Sequence, residues 1–329
     1  MKFVTYNLYE GAPQPRFGFI KENYIIDVVR ASIWIKKNKD NDSFIKIPSE
    51  LKIALEKWKE NFRLLKDLND QLPPQIPNSF LETTKPIATS LDDACLLPPI
   101  MRPQSFRDFY AFEQHVRSAR KLRGLDMHPD WFKIPIFYFS NPSALYGHKQ
   151  IVPYPKGTKE LDFELEFAII IAEGGSDIKQ YEASKYIAGY TICNDWSARD
   201  LQREEMAMNL GPAKGKDFAT SFGPYMVTPD ELESAWDKNG KMHLRMTSYI
   251  NDKLISDGNT NDLYHPFTKM IERASLNTKL LPGDILGSGT VGTGCILELR
   301  PENTGGWLKS GDTVRLEVDG LGTLENKIE

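Results

Sequence analysis

The sequence predicts a mostly β (α+β) fold, with a small β-rich N-terminal domain over residues 1–100 and a larger domain over residues 101–329. The last hundred residues alternate short apolar runs with turn sequences such as Pro282-Gly283-Asp284 and Ser310-Gly311-Asp312, a pattern typical of short strands. Residues 161–172 have the composition of one long strand. Prolines cluster at residues 73–77 and 98–103, and because proline disfavours helix in the preceding residue, we place the domain boundary near residue 100.

The N-terminal domain is expected to contain two strands and one amphipathic helix. Residues 16–19 and 24–29 have strand composition and flank a turn at residues 21–23. A helix is predicted to follow, with Ser49 as its N-cap, because apolar residues recur at helical spacing after it. These apolar residues are Leu51, Ala54, Leu55, Trp58, Phe62 and Leu65. We expect this stripe to face the protein core rather than a partner's groove.

The composition narrows the class of ligand. The chain has 41 Lys and Arg against 45 Asp and Glu, a net charge of −4, which argues against a protein that coats nucleic acid. The three cysteines are far apart in sequence and odd in number, so they indicate neither a disulfide framework nor a thiolate metal site. No apolar run approaches the roughly 20 residues that span a bilayer, and the first residues lack the apolar part of a secretory signal. We therefore expect a cytoplasmic protein that neither coats nucleic acid nor spans a membrane.

Acidic and apolar side chains alternate over residues 161–167. In a strand they occupy opposite faces, and the acidic face holds Asp162, Glu164 and Glu166. The strand continues into apolar residues 168–172, so the carboxylates lead into a buried region, where they repel one another and lose hydration. A hard cation such as Mg²⁺, Mn²⁺ or Ca²⁺ removes both costs and prefers oxygen ligands. A solvated acidic face on an edge strand is the alternative.

A second candidate segment carries an acid and a histidine. Residues 106–123 have a helical pattern, with Ser105 as cap and Gly124 as stop. Asp108 and His115 are then seven residues apart on one face, about 10 Å apart along the helix. A histidine near an acidic site is a candidate general base, and a purely structural histidine is the alternative. We interpret the others as surface or packing residues: His128, His148, His243 and His265.

A third segment places polar residues after an apolar run. Asp195 follows the run at residues 186–192, where we expect a strand to end and a helix over residues 195–208 to begin. Arg199 and Gln202 then share a helical face with Asp195. An N-cap aspartate with a local ion pair is equally consistent with the pattern. Lys214 and Lys216 lie between glycines and are candidates for stabilising negative charge, with a solvated loop as the alternative.

Residues 287–292 match the G-x-G-x-x-G pattern of dinucleotide-binding proteins. That chemistry needs a helix directly after the glycines. Residues 295–300 have the composition of a strand instead, so we reject dinucleotide binding. The glycines are expected to allow a tight turn or a close approach of the backbone to a ligand.

Taken in order, these segments resemble the fumarylacetoacetate hydrolase family over roughly residues 100–329. The matching segments are Asp108-Phe109-Tyr110, Gln114-His115, Glu164-Leu165-Glu166, residues 194–202, Leu210-Gly211-Pro212, Gly215-Lys216, Ser288-Gly289-Thr290, Leu297-Glu298-Leu299 and residues 320–324. The resemblance implies a mixed β-sandwich roll with a small N-terminal domain, and a homodimer. One departure concerns Phe139-Ser140-Asn141, where the mammalian-type enzyme has His-Gly-Arg. A second concerns that enzyme's substrate-binding arginine, for which only Arg123 is nearby. Both leave the identity of the substrate open.

The resemblance also implies a role for each matching side chain. The implied ligands of a divalent metal, Mg²⁺ or else Mn²⁺ or Ca²⁺, are Asp108, Glu164, Glu166 and Asp195. The implied catalytic residues are His115 as the base that activates water, Glu298 as its orienting acid, and Arg199, Gln202 and Lys216 as stabilisers of an enolate. The implied substrate contacts are Tyr110, Tyr138 and Thr290.

The implied activity is metal-dependent hydrolysis of a C–C bond in a β-diketone or acylpyruvate-type 2-oxo acid such as fumarylacetoacetate, a reaction of aromatic amino acid catabolism. The joint presence of His115 and Glu298 favours hydrolysis, because isomerisation and decarboxylation need no attacking water. A metal-dependent oxaloacetate decarboxylase or 2-oxo-diene isomerase is the first alternative. A metal-stabilised binding protein without turnover is the second.

Overall fold

The computed structural model describes residues 1–9, 14–81 and 85–329. The strands are β1 (Lys2–Asn7), β2 (Arg16–Lys21), β3 (Tyr24–Asp27), β4 (Ala88–Ser90), β5 (Cys95–Leu97), β6 (Phe106–Phe109), β7 (Phe137–Ser140), β8 (Leu145–Tyr146), β9 (Leu161–Asp162), β10 (Leu165–Ile171), β11 (Gly175–Ser176), β12 (Ile187–Asp195), β13 (Ser197–Ala198), β14 (Thr220–Val227), β15 (Arg245–Ile250), β16 (Lys253–Asn259), β17 (Lys279–Leu280), β18 (Ile285–Gly287), β19 (Thr313–Val318) and β20 (Gly322–Lys327). The α-helices are α1 (Val28–Lys39), α2 (Leu51–Ala54), α3 (Trp58–Gln71), α4 (Asn78–Leu81), α5 (Glu113–Leu122), α6 (Arg199–Met206), α7 (Phe267–Ser275), α8 (Ile296–Leu299) and α9 (Pro301–Thr304). Short 3₁₀ turns occupy Leu55–Lys57, Pro129–Phe132, Ala183–Tyr186, Pro229–Ala235 and Thr260–Asp262.

One large mixed sheet organises the molecule, which confirms the mostly β (α+β) class. Its strand order is β4-β3-β2-β1-β14-β12-β10-β18-β6-β7, with β5 paired to β1 and β8 paired to β14. The antiparallel pairing of β1 with β14 joins strands of the first hundred residues to the sheet of the later ones. The boundary near residue 100 remains a prediction.

Strand β10 lies inside this sheet and is buried along its whole length. Leu165 and Phe167 point into a core that also contains side chains of the second sheet, β16-β15-β19-β20. Ala168 and Ile170 point into a second core formed with helices α1 and α3. Alternate apolar side chains of β10 therefore enter two different cores, and both faces of the strand are covered.

The acidic residues of the predicted strand over residues 161–172 are buried as well. Asp162, Glu164 and Glu166 are 0%, 6% and 0% exposed, so the alternative of a solvated acidic face is wrong. The strand is interrupted at residues 163–164, because Leu161–Asp162 pairs with β13 while Leu165 begins the pairing with β12.

The prediction of one helix over residues 106–123 is wrong. Phe106–Phe109 is strand β6, which lies between β18 and β7, and the helix begins only at Glu113. Hydrogen bonds from Tyr110 N–H to Ile136 O and from Ala111 N–H to Ser288 O, both 3.2 Å, hold the intervening backbone in a non-helical path. Asp108 and His115 therefore lie on different elements.

Two further segments differ from their predictions. The helix expected over residues 195–208 begins at Arg199, because Asp195 is the last residue of β12 and residues 197–198 form β13. Residues 295–300, predicted as a strand, contain the short helix α8. Its first backbone N–H groups, at Ile296 and Leu297, donate to the carboxylate of Asp162, a long-range contact that local composition does not report.

The N-terminal strands are confirmed, but helix α1 was not predicted. Strand β3 ends at Asp27, whose carboxylate accepts from Arg30 N–H and caps α1. Ser49 is not the cap of the next helix, which follows Glu50 without a side-chain cap and continues through a 3₁₀ turn into α3. Its stripe faces the core as expected, since Leu51, Leu55 and Leu65 are at most 2% exposed. Within the three described ranges, no helix combines the length and the apolar character needed to cross a membrane.

Candidate active site

Three buried carboxylates from three strands converge at one point. Asp108 on β6, Glu166 on β10 and Asp195 on β12 are 3%, 0% and 0% exposed. Each offers one carboxylate oxygen, and these oxygens lie within 4.8 Å of one another. We name this group the carboxylate centre. It draws on strands that are close in the sheet but separated by up to 87 positions in sequence.

The sheet register brings the three strands together. Cys193 on β12 pairs with Glu166 on β10, two residues before Asp195. On the other side Gly287 of β18 lies between β10 and β6, where it pairs with Asp108. A Cβ at Gly287 would lie only 2.2 Å from Asp108 Oδ1. The absence of a side chain at this position lets Asp108 reach towards the other two carboxylates.

Each carboxylate of the centre keeps one oxygen free of hydrogen bonds. Asp195 Oδ2 accepts from the Tyr138 hydroxyl at 2.7 Å and from Lys216 Nζ at 2.6 Å, and Thr290 Oγ1 lies 3.5 Å from Glu166 Oε1. The buried atoms Asp108 Oδ1, Glu166 Oε2 and Asp195 Oδ1 have no hydrogen-bond partner among the described residues. Buried carboxylate oxygens without donors are costly, and three such carboxylates whose oxygens lie within 4.8 Å of one another suit a hard divalent cation.

Burial and mutual repulsion perturb the acidity of the centre. Burial and the charge of Asp195 raise the pKa of Asp108 well above its ordinary value. Burial and the charge of Asp108 do the same to the pKa of Glu166. Burial also raises the pKa of Asp195, although Lys216 opposes it. These carboxylates are therefore poorly compensated by protein groups alone.

Glu164 lies beside the centre and is compensated by two cations. Its Oε2 accepts from Lys216 Nζ at 2.5 Å, and its Oε1 lies 2.8 Å from Arg199 Nη2. Burial would raise the pKa of Glu164, but Lys216, Arg199 and His115 together outweigh it and lower that pKa. Lys216 Nζ bridges Glu164 to Asp195. Glu164 as a metal ligand stays a prediction, because its oxygens are outside the group of three.

Asp162 has a connecting role that its place in the sequence pattern did not reveal. Its carboxylate accepts from Arg199 Nε at 2.8 Å and from the N–H groups of Ile296 and Leu297 at 2.8 and 3.0 Å. It therefore links the first residue of α6 to the start of α8, the helix that carries Glu298. Arg199 Nη1 in turn donates to Gln202 Oε1 at 3.1 Å, so these two residues share a helical face as predicted. The prediction that Asp195 shares this face is wrong, because Asp195 ends strand β12.

His115 and Glu298 form a buried pair. His115 Nδ1 lies 2.5 Å from Glu298 Oε1, and the two side chains are 6% and 3% exposed. Glu298 Oε2 accepts from Thr293 N–H at 3.1 Å. Because a carboxylate accepts, Nδ1 carries the proton of this hydrogen bond. The ring of Tyr110 contacts the imidazole edge-on, with centroids 5.4 Å apart.

The remaining predicted residues divide between the site and the surface. Burial, followed by the charges of Asp195 and Asp108, raises the pKa of Tyr138 well above its ordinary value, so its hydroxyl stays a donor. A cavity of about 180 Å³ opens between β7 and the loop before β14; its lining includes Tyr138, Ser140, Pro212 and Lys216. Lys214 lies at the surface, where its ammonium pairs with Asp217.

The histidines read as surface or packing residues have those environments. The side chain of His128 is 61% exposed and that of His243 is 43% exposed. His265 is fully buried and contacts Trp131 O at 2.7 Å.

In the glycine-rich segment over residues 287–292, a Cβ at Gly289 would lie 2.3 Å from Phe109 O. That glycine therefore allows a close approach to the β6 backbone.

Comparison with known proteins identifies a matching family and several similar sequences. The family described as fumarylacetoacetate (FAA) hydrolase C-terminal matches residues 104–329. The chain is 28% identical over 312 residues to a fumarylacetoacetase of Arabidopsis thaliana, which covers 79% of this chain and 73% of that protein. It is 31% identical over 198 residues to the oxaloacetate tautomerase YisK of Bacillus subtilis, which covers 59% of this chain and 61% of that protein.

A solved structure shares the fold. Maleylpyruvate hydrolase from Sphingobium sp. SYK-6, solved in complex with manganese(II) ion and pyruvate, superposes with a TM-score of 0.67 at 20% identity. The match covers 100% of this chain and 98% of that one. At this identity the similarity concerns the fold.

Proposed function

Because the chain belongs to the fumarylacetoacetate hydrolase family, we propose that it is a divalent-metal-dependent enzyme that hydrolyses a C–C bond in an acylpyruvate-type 2-oxo acid such as fumarylacetoacetate. The observation that carries the proposal is the buried His115–Glu298 pair, whose histidine is near enough to Glu164 to help lower the pKa of that carboxyl. A hydrolase needs a base that deprotonates an attacking water in addition to a site that stabilises an enolate. An enolate-forming isomerase needs no attacking water, because its base acts on a C–H bond of the substrate.

His115 is the proposed base. Glu298 holds Nδ1–H, so Nε2 accepts a proton from a water molecule whose oxygen attacks the substrate carbonyl. Thr293 N–H fixes Glu298 in turn, which keeps the ring in one orientation. After the C–C bond breaks, the protonated His115 returns its proton to the carbanion carbon of the leaving enolate or to solvent. This exchange balances the reaction as the addition of one water across one C–C bond.

Lys216, Arg199 and Gln202 provide the polar surroundings for developing negative charge. Lys216 and Arg199 are both 4% exposed and paired with Glu164, so their charges are held at fixed positions. Fixed donors in a buried site stabilise an oxyanion without reorganisation. Asp162 fixes Arg199 further through its Nε.

A metal ion is proposed at the carboxylate centre, with Asp108, Glu166 and Asp195 as ligands and Glu164 as the fourth candidate. A divalent ion there would polarise a substrate carbonyl and stabilise the enolate. The oxygen-only donor set supports a hard divalent ion, for which we propose Mg²⁺ or else Mn²⁺ or Ca²⁺. Manganese in the related maleylpyruvate hydrolase is compatible with this choice.

Enolate chemistry without hydrolysis is the second candidate. The similarity to an oxaloacetate tautomerase favours it, because tautomerases, 2-oxo-diene isomerases and oxaloacetate decarboxylases share the need for a metal-stabilised enolate. A binding protein without turnover is the third. We further propose a cytoplasmic homodimer that acts in aromatic amino acid catabolism, as the family resemblance implies.

A substrate panel separates the candidates. Purified protein with Mg²⁺ is mixed with acylpyruvates, fumarylacetoacetate and oxaloacetate, with EDTA and metal add-back as controls. Loss of enol absorbance together with two acid products identifies hydrolysis. Release of CO₂ identifies decarboxylation, and interconversion of keto and enol forms without cleavage identifies tautomerisation. The absence of a reaction with every compound of the panel would favour a binding protein.

Variants assign the roles. His115→Ala is expected to lose about 10²–10⁴-fold in turnover while retaining the metal, and the exposed His128→Ala is the matched control with unchanged activity. Near wild-type hydrolysis by His115→Ala would refute the base assignment. Glu166→Ala and Glu164→Ala are expected to reduce metal occupancy by elemental analysis, and unchanged occupancy in either would remove that residue from the ligand set.

A further inference from the structure

A cysteine thiol completes a second cluster of metal-ligating atoms. One atom each of His115, Cys295 and Glu298 lies within 4.8 Å of the other two. The His115 and Glu298 side chains are 6% and 3% exposed, and Cys295 is fully buried. Neither the proposed hydrolysis nor the carboxylate centre uses the thiol. The cysteine spacing gave no sign of this cluster, because His115 and Glu298 are 183 positions apart.

The donor types of this cluster differ from those of the carboxylate centre. An imidazole nitrogen, a thiolate sulfur and a carboxylate oxygen are the usual ligands of Zn²⁺, whereas Mg²⁺ prefers oxygen alone. Softer divalent ions bind thiolates and imidazoles more strongly than hard ions do. The molecule therefore has one group of ligands suited to a hard ion and a second, softer group that includes the proposed base, His115.

The geometry needs only a modest adjustment. Zn²⁺ bonds to nitrogen, oxygen and sulfur at about 2.0–2.3 Å, so tetrahedral ligands lie roughly 3.3–3.7 Å apart. Atoms already within 4.8 Å reach that spacing by small side-chain rotations. Cys295 directly precedes α8 and Glu298 lies within it, so two ligands are carried by one short segment.

We propose that His115, Cys295 and Glu298 form an inhibitory binding site for a thiophilic divalent cation such as Zn²⁺. Burial and the charge of Asp162 raise the pKa of the Cys295 thiol, so the sulfur is protonated before the ion binds. Formation of the sulfur–metal bond releases that proton to solvent. An ion on Nδ1 replaces the hydrogen bond to Glu298, and an ion on Nε2 occupies the nitrogen that would accept a proton from water. Either position blocks the base.

The test of binding is spectroscopic and does not depend on turnover. The full-length protein is saturated with Mg²⁺ to fill the carboxylate centre and then titrated with Co²⁺, which reports a thiolate ligand by a sulfur-to-cobalt charge-transfer band in the near ultraviolet. The wild-type protein is expected to develop the band with one equivalent of Co²⁺. Cys295→Ser is expected to abolish it, and Cys193→Ser, which alters another fully buried cysteine, is expected to keep it.

Inhibition of turnover by Zn²⁺ is measured in a separate experiment, which rests on the proposed function. Zn²⁺ is expected to inhibit the Mg²⁺-loaded enzyme, and Cys295→Ser is expected to raise the half-inhibitory concentration by at least about tenfold while keeping basal turnover. If Cys295→Ser is poorly folded by circular dichroism, Cys295→Ala replaces it. A charge-transfer band that persists without Cys295, or no band in the wild type, would overturn the site. A band without any turnover in the wild type would instead contradict the hydrolase proposal alone.

Discussion

Gly287→Ala is expected to weaken metal binding through a single contact. Gly287 lies on strand β18 and pairs with both Ala168 and Asp108. A Cβ added at Gly287 would lie 2.2 Å from Asp108 Oδ1. The next nearest atoms, Asp108 Cγ and Phe106 Cε2, lie at 3.2 Å. The added methyl group therefore acts mainly on one oxygen of one proposed ligand.

The required displacement follows from the contact distance. Ordinary van der Waals contact begins near 3.4 Å, so Asp108 Oδ1 has to move by about 1.2 Å. The oxygen is the end of a short side chain, so the stability cost is at the low end of the 1–3 kcal/mol typical of overpacking, about 1 kcal/mol. Metal affinity is expected to fall roughly 10–100-fold, and turnover by about 10²-fold, as a displacement near 1 Å produces in an active site.

Calorimetric titration with Mn²⁺, beside urea unfolding of the same samples, measures both quantities. Gly18→Ala is the matched control, because its Cβ would lie 2.5 Å from Ile25 Cγ2 in a strand of the N-terminal segment. The control is expected to lose stability but to bind Mn²⁺ normally. The double variant Gly287→Ala/Asp108→Ala is expected to bind Mn²⁺ no more weakly than Asp108→Ala alone, because both changes act on the same oxygen. Wild-type affinity in Gly287→Ala, or additive losses in the double variant, would contradict the placement of Asp108 in the centre.

Three further outcomes are expected. Asp162→Asn removes one of the two buried carboxylates paired with Arg199 and leaves Glu164 as the other. Unfolding in urea is therefore expected to show a loss of about 1–3 kcal/mol, with the lost turnover restored only by a carboxylate. A neutral effect would exclude the linking role. Burial lowers the pKa of His148 to about 4, and its Nδ1 accepts a hydrogen bond from Glu325 N–H. The unfolded state takes up this proton near pH 6.5 but the folded state only near pH 4, so the free energy of unfolding is expected to fall by roughly 1–2 kcal/mol between pH 7 and pH 5. His148→Gln is expected to remove this pH dependence. Saturating Mg²⁺ at 100 times its Kd is expected to add about 2.7 kcal/mol of stability that EDTA removes, and an unchanged unfolding curve would argue against a buried ion.

Local patterns in the sequence predicted the parts of the site that depend on alternation within a strand. A strand is predicted over residues 161–172 because apolar and acidic positions alternate and then merge into an apolar run, and residues 165–171 form such a strand. That pattern requires two covered faces, and the structure has two cores there. The family resemblance supplied residues that no local pattern singles out, such as Glu298 and Thr290.

Long-range contacts account for what the sequence did not predict. Residues 106–109 have helical spacing but are held as a strand by β18 and β7, partners that lie far away in the chain. Residues 296–299 have strand composition but begin a helix on the carboxylate of Asp162. In both places a tertiary partner outweighs a local propensity of a few tenths of a kcal/mol per residue.

The two buried cations determine which carboxylate oxygens remain for an ion. Lys216 and Arg199 neutralise Glu164, and Lys216 with Tyr138 occupies one oxygen of Asp195. The two donors thereby also fix the direction of the other oxygen of Asp195, to which no described residue donates a hydrogen bond. Such outer donors hold a ligand in place before the ion arrives. The resemblance implies that Tyr138 contacts substrate, and its hydrogen bond to Asp195 also orients one carboxylate of the proposed metal site. We therefore expect a change at Tyr138 to affect metal binding and substrate binding together.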